Sequence, residues 1–258
     1  FLEKTASGDY QLYSRPGLGN SSQPPGGAAT GAGVFNWLGN IYSVFGTTLY
    51  KTNTSIGTVD GTGGVYRFTS SSGGTPRLVL GNGVKAYTWD NATFAEITDG
   101  DFLKPYYKGW AYLDKTLYKM STPNKINGSD LDDPTAWDPL NLINAQIAQD
   151  LGIGIDKQLV YVVAFKQWTT EIFYDATNAT GSPLSTVQGA KVNYGCASIE
   201  TVQDIDGVLY WVANNRNSSP QIITLNNLKP EIISTPAEER LIDAVDFTAC
   251  YSWSIKEW

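Results

Sequence analysis

"YGCASIETVQDIDGVLYW", residues 194 to 211, sets Cys196 behind a glycine and follows it with Glu200, Asp204 and Asp206. The stretch is either the thiol and carboxylates of an active site or one turn-and-strand unit of a repetitive β protein. A cysteine nucleophile needs an imidazole to take its proton and hold it as thiolate. The chain contains no histidine, so the Cys-His reading fails. The same absence removes Ser-His-Asp triads, HExxH zinc sites and most transition-metal sites.

Composition points the same way. Charged residues make up only 17% of the 258, while Gly (26), Tyr (15) and Trp (8) are plentiful, a balance of strands and turns rather than long solvated helices. The length suits one large all-β domain as well as two ordinary ones. Eighteen basic side chains against 25 acidic ones give a net charge of −7, the wrong sign for gripping phosphates. No apolar run is long enough for a membrane span, and no signal-peptide pattern opens the chain. The start "FLEKTASGDY" lacks Met, and "CYSWSIKEW" ends within a strand-like pattern; both ends read as cut from a longer protein. Two cysteines, Cys196 and Cys250, are too few for a secreted disulfide framework and are expected as free thiols. Six Asn-x-Ser/Thr sequons, at Asn20, Asn53, Asn91, Asn127, Asn178 and Asn217, read as turn composition rather than as glycosylation sites.

Outward from the opening stretch, short aromatic and β-branched runs alternate with Gly, Asn and Asp turns. "NIYSVFGTTLYKT" (40–52), "KAYTWDNATFAEIT" (85–98), "GWAYLDKTLYKMS" (109–121), "QLVYVVAFKQWTTEIFYDA" (158–176) and "DGVLYWVANNRNSSPQIITLNN" (206–227) each read strand, turn, strand. Tyr112, Tyr161 and Tyr210 recur at an interval of 49 residues and are expected at equivalent core positions. A period of about 40 to 50 residues holding several short strands is the range of β-propeller blades; an unequal β-sandwich is the alternative. Residues 1–32 read as an extended N-terminal segment with the Pro/Gly/Ser-rich loop "RPGLGNSSQPPGGAATGAG" (15–33), and 33–258 as blades. One short helix is predicted in "TPAEERLIDAV": Thr235 as N-cap, Pro236 at the first position, Glu238 completing a capping box, and Leu241, Ile242 and Val245 as the apolar face. "PLNLINAQIAQDL" (139–151) has helical spacing but runs into Gly152 and Gly154, which leaves one or two turns or an ordered loop.

The polar candidates carry little chemistry. Asp130, Asp132, Asp133 and Asp138 could hold Ca²⁺, but an EF-hand loop opening at Asp130 needs Gly and Glu where Thr135 and Asn141 stand. Turn formation is the better reading. Asp99, Asp101, Glu171 and Asp206 are nominal glycosidase carboxylates, without the Asp-box or arginine cluster of a sialidase; the chain has five arginines. No P-loop exists, and Trp89-Asp90 and Trp137-Asp138 are bare dipeptides without a WD40 partner.

The ordered series "SRPGL" (14–18), "GVFNWLGNIYSVFGTTLYK" (33–51), "GTVDGTGGVYRF" (57–68), "LVLGNGVKAYTWD" (78–90), "AEITDGDF" (95–102), "AWDPLN" (136–141), "TTEIFYDA" (169–176), "GAKVNYGCAS" (189–198), "GVLYWVANN" (207–215) and "IISTPAEE" (232–239) resembles the packaged-DNA stabilisation proteins, the tail hubs or nozzles, of short-tailed bacteriophages. The resemblance implies a structural β-propeller with no catalytic, cofactor-binding or metal-binding residue. In it Cys196 is a small buried residue and Asp206-Gly207 a hairpin turn. It further implies a six-fold ring of copies in the virion tail, assembled in the bacterial cytoplasm. Such a ring sits below the portal and adaptor, holds a needle, plug or fibre, and lets double-stranded DNA pass without binding it. The runner-up is a carbohydrate-binding or glycoside-hydrolysing propeller; a bacterial surface or scaffold propeller comes third.

Overall fold

The computed structural model describes residues 2–4, 10–12, 29–252 and 254. Within the predicted extended N-terminus, β1 (Leu2–Lys4) and β2 (Tyr10–Leu12) pair antiparallel. Residues 13–28, most of the Pro/Gly/Ser-rich loop, lie outside the described residues.

Five four-stranded antiparallel sheets follow in chain order, the blades of a β-propeller. Blade 1 holds β3 (Gly31–Trp37), β4 (Asn40–Phe45), β5 (Thr48–Lys51) and β6 (Thr54–Thr58). Blade 2 holds β7 (Arg67–Ser70), β8 (Leu78–Gly81), β9 (Ala86–Trp89) and β10 (Phe94–Glu96). In blade 3 come β11 (Ala111–Leu113), β12 (Thr116–Ser121), β13 (Lys125–Asp130) and β14 (Asp133–Asn144). Blade 4 has β15 (Gly152–Gln158), β16 (Tyr161–Lys166), β17 (Thr170–Asp175) and β18 (Leu184–Thr186); blade 5 has β19 (Gln203–Ile205), β20 (Val208–Ala213), β21 (Gln221–Asn226) and β22 (Lys229–Ile232). The first strands of successive blades touch, β3 with β7, β7 with β11 and β11 with β15, which places them around the axis. At one such approach Gly109 has φ +102°, and a Cβ there would stand 2.0 Å from the Ile155 carbonyl oxygen. Only glycine fits.

A middle blade buries both faces, so its central strands read as unbroken apolar runs rather than as alternations. In "YVVAF" of β16, Val162 and Ala164 pack on blade 3 with Tyr118 and Met120. Val163 and Phe165 pack on blade 5 with Leu209 and Trp211. Likewise Leu78 and Leu80 of β8 meet Tyr42, Val44 and Leu49 of blade 1, while Val79 joins Trp110, Leu117 and Trp137 of blade 3. Four such cores join the five blades. The outer faces of blades 1 and 5 flank a cleft of about 1100 Å³ lined by Val34, Ile41, Phe45, Glu200, Gln203 and Tyr251.

Across the axis, the Arg67 guanidinium of blade 2 pairs with Asp156 of blade 4 at 3.0 Å and reaches the Val202 carbonyl ahead of blade 5. Lys108 meets Glu200 at 3.5 Å. Two ion pairs therefore cross the middle of the propeller.

Three expectations need correction. Tyr112, Tyr161 and Tyr210 are not equivalent: Tyr112 lies in a first strand, Tyr161 opens a second strand, and Tyr210 is the third residue of one. Second strands begin at residues 40, 78, 116, 161 and 208, because the connections between blades differ in length. All three tyrosines are only partly buried. Second, Pro139–Asn144 of "PLNLINAQIAQDL" belongs to the long strand β14, and an ordered loop takes up the rest. Third, Cys250–Ser252 joins no sheet; Ser252 hydrogen-bonds Glu200 and Thr201 instead. The predicted helix is present as α1 (Pro236–Asp243), with both halves of the Thr235–Glu238 capping box formed and Leu241 and Val245 exposed.

Candidate functional site

Of the nominal carboxylate candidates only Asp99 and Asp101 share a segment, one exposed turn ahead of blade 3; Glu171 and Asp206 lie elsewhere. Asp99 accepts hydrogen bonds from the backbone N–H groups of Asp101 and Trp137 in the connection into blade 3. Glu171 is fully buried inside blade 4, and Asp206 occupies a hairpin turn of blade 5 with φ +52°, followed by Gly207 at +81°. That type I′ geometry suits Asp-Gly. The acidic cluster of blade 3 builds turns: Asp133 accepts from the N–H and hydroxyl of Thr135, and Asp138 accepts from the N–H of Leu140. Among the described residues no three carboxylates, thiols or imidazoles gather in a metal-binding group. Cys196 is buried and unpaired, and burial pushes its thiol up to about 12, which leaves no thiolate. The sequon at Asn127 is buried too, its side chain hydrogen-bonded to Ser121.

What the strands do bring together is a cluster of charges at zero or near-zero exposure. Lys166, the last residue of β16, points inward at Glu171 and at Asp150, 3.1 Å away, and its ammonium also donates to the carbonyls of Ala148 (2.7 Å) and Ala145 (3.5 Å). Asp150 accepts from the N–H groups of Trp168 and Thr169 and from the Thr169 hydroxyl. Burial pushes its carboxyl up, but the Trp168 N–H and the Lys166 ammonium outweigh that and hold it below the usual carboxylate range. Glu171 also accepts from the N–H of Ala148, while its second oxygen has no partner. An apolar trio of similar volume would stabilise a core as well or better. What the ions do here is fix the connection 145–150 between blades 3 and 4.

That connection forms one wall of a pocket of about 410 Å³. The β12–β13 turn (Pro123, Asn124), the β16–β17 turn (Gln167, Trp168) and Arg216 of the β20–β21 turn complete it, so blades 3, 4 and 5 all contribute. Asn124 ties the walls together: its side-chain N–H donates to the Asp150 carbonyl at 2.7 Å, and its own carbonyl accepts from Ala145. Arg216 lies 5.7 Å from the centre of the Trp168 ring.

A second buried cation, Lys119, is held in a box of rings, 4.5 Å from the centre of Phe102, 5.3 Å from Trp137 and 5.6 Å from Tyr106, and donates to the Leu103 carbonyl. Burial, with Lys104 nearby, pushes its ammonium down to about 7. Neither lysine stood out in the sequence. The available signal was a lysine inside or ending an apolar central strand, at "LYKMS" and "VVAFK".

Comparisons with known proteins bear on the whole chain. A family model described as phage stabilisation, bacteriophage P22 Gp10, beta-propeller, matches residues 2–255. A comparison with curated proteins finds no match. Among solved structures the chain is similar to YCF48 bound to D1 peptide, at 10% identity and TM-score 0.50, over 75% of this chain and 65% of that one. It is also similar to BamB from Moraxella catarrhalis, at 9% identity and TM-score 0.45 over 70% of this chain and 53% of that one. The Kluyveromyces lactis Hsv2 structure gives 13% identity and TM-score 0.46 over 80% and 73%. The chain thus spans about half of the BamB chain and just under two thirds of the YCF48 chain, and at these identities the likeness concerns the fold alone.

Proposed function

The chain belongs to the phage stabilisation family described by the bacteriophage P22 Gp10 β-propeller, and from that membership we propose that it is a tail-hub subunit that retains packaged DNA. It is a structural component of the phage particle by family. On our reading, copies form a six-fold ring below the portal and adaptor, hold a needle, plug or fibre, and frame the channel through which the genome leaves. The family match over residues 2–255 is the observation that carries this.

Two physical features support the finer reading. The Arg67–Asp156 pair occupies the propeller axis, so a duplex has to pass outside each propeller, between copies, which a ring provides. The net charge of −7 suits a wall along which phosphates slide, since clustered cations would hold them. We also read the chain as non-catalytic, because Asp99, Glu171 and Asp206 sit in different blades or connections and Glu171 is fully buried, out of reach of a substrate. Particles assembled without this chain should package DNA and then lose it, measured as nuclease-sensitive genome. Filled particles that stay nuclease-resistant at the parental yield would contradict the assignment.

A further inference from the structure

The pocket between blades 3, 4 and 5 has no part in the tail reading, yet it is more ordered than a surface hollow needs to be. Its volume of about 410 Å³ lies in the range of small-ligand sites, roughly 300–1,000 Å³. Its walls are pinned from beneath: Lys166, Asp150 and Glu171 hold the connection 145–150, and Gln167 donates its N–H to the Leu151 carbonyl at 2.7 Å. A site whose supporting charges are buried and paired is preorganised, and preorganisation lowers the entropy lost on binding.

The lining selects the ligand. Asn144, Gln146, Gln149 and Gln167 face the pocket, and none of their amide groups makes a hydrogen bond to another described residue. Each amide carries a donor and an acceptor side by side, as a vicinal hydroxyl pair requires. Trp168 supplies a flat carbon surface, and Arg216 lies against its ring with a fork of donors and no carboxylate partner among the described residues. A nucleic acid would need several cations where only Arg216 lines the site. An apolar partner segment would need a wider apolar floor than Pro123, Ala145, Ala148 and Leu151 provide. Among the described residues the pocket has no metal-binding group.

We propose that this pocket is a saccharide-binding site, taking one or two pyranose units through the Asn144, Gln146 and Gln149 amides with Trp168 as the stacking surface. The site needs no catalytic group and goes beyond the tail assignment, which can stand or fall without it.

Saturation-transfer NMR and titration calorimetry on the whole chain test this, using di- and trisaccharides of hexoses, N-acetylhexosamines, 6-deoxyhexoses and hexuronates. At least one sugar should bind with a Kd of about 10 mM or tighter. Trp168→Ala and Gln149→Ala should each weaken it roughly ten-fold or more. Gln149 is exposed, so Gln149→Ala keeps the unfolding midpoint and reads binding alone, even if Trp168→Ala disturbs the turn. The proposal is overturned if no sugar of the panel binds, if binding survives both substitutions, or if a short peptide or oligonucleotide occupies the pocket more tightly than any sugar.

Discussion

Lys119 is fully buried, with its ammonium against three aromatic rings and one carbonyl oxygen. Ring faces attract a cation, which moderates the desolvation cost without cancelling it, and the group's folded value stands at about 7 against an ordinary 10.5. Between those two values the unfolded chain binds a proton that the folded chain does not, so this residue makes stability rise with pH from about 7 to about 10.5. Below 7 both states carry the proton and the full penalty remains. Lys119→Met removes the titration while keeping the volume. The variant's stability relative to the parent should therefore be more favourable at pH 6 than at pH 9, by about 1–3 kcal/mol, measured from urea midpoints at the two values. An identical difference at both would mean the ammonium is solvated in the folded chain. The local signal is weak: "LYKMS" would serve equally well as a half-exposed strand, and the ring box closes only when Phe102 and Tyr106 of the connection between blades 2 and 3 fold over it beside Trp137 of β14.

At the scale of strands and turns, hairpins were legible and register was not. Asp206-Gly207, the Thr235–Glu238 capping box and the strand-turn-strand texture are local chemistry, fixed within a few residues, and the structure has each where the sequence puts it. Equivalence between blades is set by connection length, which the chain varies, so the 49-residue recurrence of tyrosines is coincidental. The aromatics that fill the cores include Tyr42, Tyr118, Phe165, Phe173 and Trp211. Trp211 lies between blades 4 and 5, edge-on to Phe165, and donates to the Gly195 carbonyl at 2.9 Å, whereas its neighbour Tyr210, on the alternate face of the strand, is only partly buried. Trp211→Ala should cost about 3–5 kcal/mol and Tyr210→Ala less than about 1 kcal/mol, a contrast that thermal unfolding resolves. Equal losses would put the register of β20 in error. The buried ions follow the same logic. Lys166→Met strands Asp150 and Glu171 without their cation and should cost about 3–5 kcal/mol. Lys166→Met combined with Glu171→Leu should recover part of it, because the double change leaves one buried carboxylate, Asp150, which keeps its backbone donors. If the double variant were no more stable than the single one, the pairing would not be the source of the loss. The pocket above this cluster could not be read from sequence, since its lining comes from four separate segments that only the blade order brings together.

The whole molecule is a row of five blades curved about an axis that the Arg67–Asp156 and Lys108–Glu200 pairs cross. Its fold class was legible because Gly, Tyr and Trp abundance, short strands and the spacing of turns all report the same thing. Family membership was legible from an ordered series of segments, each unremarkable alone. Partners were not, because the surfaces that would meet them are exposed and nothing in one copy marks which is covered. The assignment rests on the family match over residues 2–255, and a channel between copies is the central claim of the finer reading proposed from it. Solution mass together with class-averaged electron micrographs of the assembled protein tests it most directly. The account predicts a closed six-fold ring of propellers around an opening wide enough for duplex DNA. Single propellers, or assemblies without a central opening, in the presence of the portal and adaptor would contradict it.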